Sequence, residues 1–216
     1  MSETKAVIFD MDGVIVDSEP CHERAFLEVV REIGYGNNHG LTVSDYIGRS
    51  DQELWKAFVT RNKPMQTLEE LQAMKRARVV ELLQCEQPLF SGLPELLEKL
   101  APSYRLALAS GSERAVVEAV LALKGLGKFF STTVTGSDIL RGKPEPDIFL
   151  RASELLGVAA RNCWVIEDSK PGIAAGLAAG MRVIAIANTY PARELGAATH
   201  VVQRYDEIAQ LLVPGG

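Results

Sequence analysis

The chain has 216 residues, of which 47% are apolar and 24% are charged, and its formal net charge is −5. This composition is typical of a globular protein with a sizeable core and excludes a low-hydrophobicity disordered chain. Because the balance is acidic and no Lys/Arg block occurs, we expect neither nucleic acid nor an acidic membrane as partner, and a small molecule is the better default.

Nothing in the chain predicts secretion or membrane insertion. Only four apolar residues precede Asp10, too few for a signal-peptide core, and the mildly apolar run 173–181 is interrupted by glycines and ended by Arg182. The cysteines stand at long spacings that match neither a zinc site nor a redox pair. We therefore expect a cytoplasmic monomer with reduced thiols.

Short apolar runs alternate with amphipathic stretches of helical length. Strands are predicted at 5–10, 105–110, about 132–135, 163–167, 182–187 and 200–202, and helices at about 93–101, 112–124, 145–157, 170–179 and 204–212. The strands are apolar on both faces, as in a buried parallel sheet. The alternation predicts an α/β fold with helices on both faces of a parallel sheet.

About seventy residues between the first two strands break this alternation. They predict helices at 19–33, 50–61 and 67–83, with Ser50 as a candidate N-cap and with Thr67 and Glu70 as a capping box. Lys75, Arg76 and Arg78 of the last of these helices are candidates for contact with an anionic substrate, but a solvated helix face is the favoured interpretation. We interpret residues 17–87 as an inserted helical subdomain and residues 1–16 and 88–216 as the core domain.

Polar side chains cluster where the predicted strands end. Ligands of open parallel sheets bind outside the carboxyl ends of the strands, so these side chains are expected at one edge. Each has an ordinary alternative: Asp12-Gly13 as a turn, Ser112 and Ser169 as helix caps, and Lys143 as a surface lysine. Their coincidence at equivalent strand ends favours a joint site, whose members are Asp10, Asp12, Ser110, Lys143, Glu167 and Asp168.

The chemistry of this cluster predicts a cation and a phosphate. Two like charges about 4 Å apart repel by about 4 kcal/mol at an effective dielectric of about 20, so the acids need a counter-charge. Their hard oxygen ligands, without His or Cys, select Mg²⁺, and Lys143 adds a second positive charge for a phosphate dianion. One aspartate could then attack phosphorus while the other handles protons.

Four motifs carry a resemblance to a known family: "DMDGVIVDSE" from Asp10, "ASGS" around Ser110, "GKPEPDIF" with Lys143, and "IEDSKPGIAAGLAAGM" with Glu167 and Asp168. Spread in order over nearly the whole chain, they resemble the haloacid dehalogenase superfamily, and within it the β-phosphoglucomutase-like phosphatases. The resemblance implies a Rossmann-like core and a helical cap, residues 17–87, that closes over the substrate.

The resemblance also implies a role for each motif residue. Asp10 would be the nucleophile and Asp12 the general acid/base. Ser110 and Lys143 would bind the phosphate, with Gly111 and Ser112 beside them. Mg²⁺ would be held by Asp10, the Asp12 carbonyl and Asp168, with Glu167 close by.

The candidate substrate contacts of the helical subdomain, His22, Arg49 and Asp51, leave the substrate open. His22 stands where β-phosphoglucomutases carry a histidine that touches the sugar, but related phosphatases carry one too. Asp51 replaces the arginine that the mutases use for a second phosphate, although Arg49 lies nearby, and Glu113 replaces a lysine of the mutases. These departures count against a mutase.

The sequence therefore predicts a Mg²⁺-dependent phosphatase that hydrolyses a small phosphorylated metabolite, a sugar or polyol phosphate, through an aspartyl-phosphate intermediate. A β-phosphoglucomutase-type hexose-phosphate mutase is the alternative. A signalling module that is phosphorylated on aspartate is a remote third, since a switch needs neither the insertion nor a leaving-group acid. Dehalogenation is disfavoured because relatives with that activity lack the second aspartate and the metal.

Overall fold

The structure is a computed structural model that describes residues 5–46 and 51–213. The chain divides into two compact units, one formed by Met1–Asp17 with Pro88–Gly216 and the other by Ser18–Gln87. Among the described residues, no helix has both the length and the apolar character that crossing a lipid bilayer requires.

The strands of the first unit form a six-stranded, fully parallel sheet with the order β3-β2-β1-β4-β5-β6. This doubly wound, Rossmann-like order confirms the predicted α/β fold class. Every predicted strand is present, and the strands are β1 Ala6–Phe9, β2 Arg105–Ser110, β3 Thr132–Thr135, β4 Cys163–Glu167, β5 Arg182–Ile186 and β6 His200–Val202.

The predicted helices are also present, with ends that agree with the prediction or differ from it by up to three residues. They are α1 Glu19–Glu32, α2 Asp51–Asn62, α3 Leu68–Glu86, α4 Leu93–Leu100, α5 Arg114–Ala122, α6 Asp147–Leu156, α7 Lys170–Ala178 and α8 Tyr205–Leu212. A 3₁₀ helix, Leu123–Phe129, follows α5, and Lys124 and Gly125 within it have positive φ angles of 45° and 68°. The α-helix predicted to reach residue 124 therefore ends at Ala122.

Helices cover both faces of the sheet. Ala6 and Ile8 of β1 share one core cluster with Ile148 and Phe149 of α6 and with Ile173 of α7. Successive side chains of a strand point to opposite faces, and the intervening residues of β1 are fully buried as well. The central strand is thus shielded from water on both sides, and its carboxyl end is where a polar group first meets solvent.

The second unit, described by itself, is built on an aromatic core. Phe26 of α1 packs against Trp55 and Phe58 of α2 with ring centroids 4.8 and 6.1 Å apart. The predicted capping box at the start of α3 is confirmed: Thr67 N donates to Glu70 Oε2 at 2.7 Å, and Glu70 N donates to Thr67 Oγ1 at 3.2 Å. The predicted cap Ser50 lies outside the described residues.

Lys75 corrects one expectation about α3. The sequence favours a solvated face for Lys75, yet this residue is 4% exposed and forms an ion pair with Asp51. Residues four apart share a helix face, and the buried positions of α3 are Leu71, Lys75, Val79 and Leu83. Lys75 therefore lies on the buried stripe of the helix.

Candidate active site

Asp10 directly extends the central strand. Its backbone N–H donates to the carbonyl of Ile166 at 3.0 Å, so the ladder between β1 and β4 continues to this residue, which is 7% exposed. The chain then winds into a tight loop in which the N–H groups of Val14, Ile15 and Val16 all donate to the Met11 carbonyl. These hydrogen bonds restrain the loop backbone that carries Asp12, two residues after Asp10.

Gly13 in this loop cannot be replaced by a residue with a side chain without strain. Its φ angle is +78°, a region that side chains disfavour. A Cβ atom there would lie 1.9 Å from Asp168 Oδ2 and 2.7 Å from Thr189 Oγ1. The glycine thus lets the loop backbone approach the Asp168 carboxylate.

Lys143 joins two carboxylates from different strands. Its Nζ lies 2.5 Å from Asp10 Oδ1 and 2.7 Å from Glu167 Oε1, and 5.1 Å from the centroid of the Phe149 ring. Burial by itself would lower the pKa of Lys143, but the Asp10 and Glu167 carboxylates hold that pKa above its ordinary value. Lys143 is therefore a fixed positive charge at this edge.

Glu167 accepts several hydrogen bonds at the end of β4. Its Oε2 accepts from the backbone N–H groups of Asp168 and Ser169, each at 2.8 Å, and from Ser169 Oγ at 2.9 Å. Ser169 Oγ also accepts from Gly172 N at 3.2 Å, so the expected capping role of Ser169 on α7 is confirmed. Glu167 thereby ties Lys143 to the turn between β4 and α7.

Asp12 accepts hydrogen bonds from two serines at the end of β2. Ser112 Oγ donates to Asp12 Oδ2 at 2.8 Å, and Ser110 Oγ donates to the same oxygen at 3.4 Å. Ser112 N donates to Ser110 Oγ at 3.0 Å. The alternative of Ser112 as a helix cap is not realised, because the N-cap of α5 is Glu113.

The carboxylates of this edge are packed closely enough to bind a metal ion. Ligand atoms of Asp10, Glu167 and Asp168 lie within 4.8 Å of one another. Burial, opposed in part by Lys143 and reinforced by the neighbouring acids, raises the pKa of Asp10 well above its ordinary value, and burial together with Glu167 raises the pKa of Asp168 to about 7. A cluster of buried hard oxygen donors that resists ionisation fits Mg²⁺.

Comparison with known proteins places this geometry in a family. The model of the haloacid dehalogenase-like hydrolases matches residues 7–186. The chain belongs to this family. The resemblance of the motifs is thereby confirmed.

Two curated relatives of this hydrolase come from Escherichia coli K12. The chain is 32% identical to fructose-1-phosphate phosphatase YqaB, and the match covers 82% of this chain and 94% of the relative. It is 33% identical to hexitol phosphatase B, and that match covers 84% of this chain and 82% of the relative. The crystal structure of CbbY from Rhodobacter sphaeroides in complex with phosphate has a TM-score of 0.82 and 24% identity, covering 95% of this chain and 96% of that chain. This structural similarity shows that the two proteins share a fold.

The core residues predicted from the sequence meet in one hydrogen-bonded and ion-paired region of this hydrolase. They are Asp10, Asp12, Ser110, Ser112, Lys143, Glu167 and Asp168, with Gly111 between the two serines. The predicted substrate contacts belong to the other unit: His22 lies in α1 and Asp51 begins α2, where it pairs with Lys75. Arg49 lies outside the described residues. The roles of all these residues in binding or catalysis stay predictions.

Sequence reasoning missed a polar group that follows β5. Thr189 donates to Asp168 Oδ2, and Asn188 Nδ2 donates to the Gly13 carbonyl at 2.8 Å and to Tyr205 Oη at 3.0 Å. Tyr205 Oη in turn donates to the Val14 carbonyl at 2.6 Å. The signal was available, since Asn188 and Thr189 follow the carboxyl end of a parallel strand as the other site residues do.

Proposed function

We propose that this hydrolase is a Mg²⁺-dependent phosphatase that acts on a small sugar or polyol phosphate through an aspartyl-phosphate intermediate on Asp10. The observation that carries the proposal is the Asp10 carboxylate, buried at the end of the central strand, in contact with Lys143 and two residues before Asp12. The names of the two relatives, a fructose-1-phosphate phosphatase and a hexitol phosphatase, support the substrate class.

Asp10 is the nucleophile of the proposed reaction. An Asp10 carboxylate oxygen attacks phosphorus, the bond to the leaving oxygen breaks, and the acyl phosphate divides one difficult displacement into two easier ones. Lys143 and the Ser110 hydroxyl stabilise the charge on the phosphoryl oxygens. Asp10, Glu167, Asp168 and the Asp12 carbonyl are the groups that would hold Mg²⁺, which supplies charge neutralisation at the carboxylates and the phosphate.

Asp12 handles the protons of both steps. It gives a proton to the leaving alcohol oxygen in the first step and takes a proton from the attacking water in the second. Its hydrogen bonds from Ser112 and Ser110 hold the carboxylate while it does so. Water attack on the acyl phosphate then releases inorganic phosphate and restores Asp10.

The test is Asp10→Asn, assayed by phosphate release from fructose 1-phosphate and a panel of hexitol phosphates with Mg²⁺. We expect release to fall to background, because an amide oxygen is a poor nucleophile. The variant leaves Lys143 paired with Glu167 and removes an acid that burial already disfavours in its ionised form, so the metal-free protein should stay folded. Thermal unfolding checks that the lost activity does not reflect an unfolded protein.

Asp17→Asn is the matched control, since Asp17 is an exposed aspartate shortly after the same loop. It should keep wild-type activity. Retained turnover in Asp10→Asn would remove this residue as nucleophile. Isomerisation of a hexose 1-phosphate with a bisphosphate activator, without free phosphate, would favour the mutase, and a long-lived phosphoaspartate without turnover would favour the signalling module.

A further inference from the structure

The Thr189 hydroxyl contacts Asp168, one of the acids of the site. Thr189 lies just beyond β5, a part of the chain that the predicted catalytic motifs do not include. Thr189 follows β5 and donates to Asp168 Oδ2. Thr189 is exposed, whereas Asp168 is 4% exposed. The threonine thus borders the buried carboxylate on its solvent side.

The neighbouring residue Asn188 fixes the backbone that carries this hydroxyl. Asn188 is anchored to the Gly13 carbonyl and to Tyr205, whose own hydroxyl is buried against the Val14 carbonyl. Tyr205 is 6% exposed. A hydroxyl on an anchored segment can hold a carboxylate in one rotamer, whereas a hydroxyl on a free surface loop could not.

The backbone of Gly13 limits the same carboxylate from another side. The Cβ position of Gly13 lies 1.9 Å from Asp168 Oδ2 and 2.7 Å from Thr189 Oγ1, so the loop, the hydroxyl and the carboxylate oxygen are in close contact. The Oδ2 atom is therefore confined between the loop and the threonine. A carboxylate has a second oxygen, which is left for another partner.

We propose that Thr189 is a positioning residue that holds Asp168 Oδ2, so that Asp168 presents its carboxylate to a divalent cation together with Asp10. The inference rests on the proposed function, because it takes Mg²⁺ as that cation. Groups that hydrogen-bond to metal-binding carboxylates orient the ligand, and their loss typically weakens metal affinity.

The experiment measures the Mg²⁺ dissociation constant of the metal-free protein by calorimetry, without substrate. Thr189→Val keeps the shape and removes the hydroxyl, and we expect it to raise the Mg²⁺ Kd about 10-fold, at the lower end of the effect of such partners. Thr189→Ser restores the hydroxyl and should bring the Kd back close to the wild-type value. Rescue by serine separates the hydrogen bond from packing of the methyl group.

Thr199→Val is the matched control. The Thr199 hydroxyl accepts from the backbone N–H of Val183, at the start of β5, at 3.0 Å. Its loss should leave the Mg²⁺ Kd unchanged, although it removes a hydroxyl from the same unit.

Two results overturn the inference alone: an unchanged Kd in Thr189→Val, or an equally weakened Kd in Thr189→Ser, when the wild type binds Mg²⁺. A third, wild-type protein that binds no divalent cation, overturns Mg²⁺ dependence itself and the inference with it. A raised Kd in Thr189→Val with rescue in Thr189→Ser supports the role of the hydroxyl.

Discussion

Lys143 holds together two carboxylates that would otherwise repel each other. Asp10 and Glu167 both contact its ammonium group, and the Lys143 side chain is only 14% exposed. Buried charges are screened by water and salt much less than exposed ones. The two ion pairs of Lys143 should therefore affect stability more than ion pairs on the surface do. At the scale of single residues, this lysine is the positive charge that Asp10 and Glu167 share.

Replacing Lys143 by methionine should therefore destabilise the metal-free protein as well as stop turnover. Removing one partner of a buried ion pair typically costs about 3–5 kcal/mol, and we expect about 3 kcal/mol here because Asp10 can take up a proton in compensation. Denaturant unfolding of the metal-free protein measures this loss, and phosphate release measures activity.

Lys170→Met is the control for that variant. Lys170 also pairs with a glutamate, Glu194, at 2.7 Å, but its side chain is 56% exposed. Exposed pairs contribute little, so we expect a small change in stability and retained turnover. Similar losses of stability in the two variants would contradict the role assigned to Lys143.

At the scale of elements, α7 lies so close to the end of β4 that only glycine fits at one contact. A Cβ atom on Gly172 would lie 1.6 Å from Glu167 Oε1, the oxygen that binds Lys143. A second glycine of α7, Gly176, approaches Val183 and Val165 in the same way, with Cβ distances of 2.8 and 3.4 Å. The close approach of this helix is thus part of the site.

Gly172→Ala should push Glu167 away from Lys143. We expect the unfolding free energy to fall by about 1–3 kcal/mol, as overpacking typically does, together with a lower rate of phosphate release. Gly196→Ala is the matched control, because no described residue other than its chain neighbours has an atom within 4 Å of its Cβ position. Wild-type stability and turnover in Gly172→Ala would show that Glu167 can shift without consequence.

Most elements of the sheet could be predicted because its strands are continuous apolar runs that end in polar residues. The "AVIF" of β1 stops at Asp10, and the "CWVIE" of β4 ends in its own site residue, Glu167. The end of α5 could not be predicted in this way, since the 3₁₀ turn depends on backbone angles at Lys124 and Gly125.

The candidate site was predictable where its residues carry charge or, like Ser110, end a predicted strand within a recognisable motif. Asp10, Lys143 and Asp168 stand out because an ionised group after a buried strand needs a partner. Asn188 and Thr189 also follow the carboxyl end of a strand. Neutral amides and hydroxyls are common in turns, however, and they need no charged partner, so the sequence did not single them out. Close approaches, such as that of Gly13 to Asp168, arise only from the folded backbone.

At the scale of the whole molecule, the strand order explains how distant segments share one site. The central strand β1 lies between β2 and β4, so Asp10 has the serines at the end of β2 on one side and the acids at the end of β4 on the other. β5 lies next to β4 and adds Thr189 beside Asp168. Folding thus brings together two pairs of carboxylates, Asp10 with Asp12 and Glu167 with Asp168, that are far apart in the unfolded chain.

This gathering should make the stability of the metal-free protein depend on pH. Burial raises the pKa of Asp168 to about 7 and that of Asp10 well above its ordinary value, while both are near 3.9 in the unfolded chain. The folded state therefore binds protons more tightly than the unfolded state. The stabilisation that these protons give is complete below about pH 4 and is lost as the pH rises toward about 7.

Mg²⁺ competes with these protons, so its effect on stability should grow with pH. We expect the difference in Tm between protein with a fixed excess of Mg²⁺ and protein with EDTA to widen from pH 5.5 to 7.5. A ligand that binds only the folded state stabilises it more as its Kd falls, and the Mg²⁺ Kd should fall as these carboxylates lose their protons. Asp168→Asn lacks the carboxylate whose pKa lies in this range and should flatten the dependence. A Mg²⁺ effect that stays constant across this range in the wild type would mean that proton and cation do not share the same oxygens.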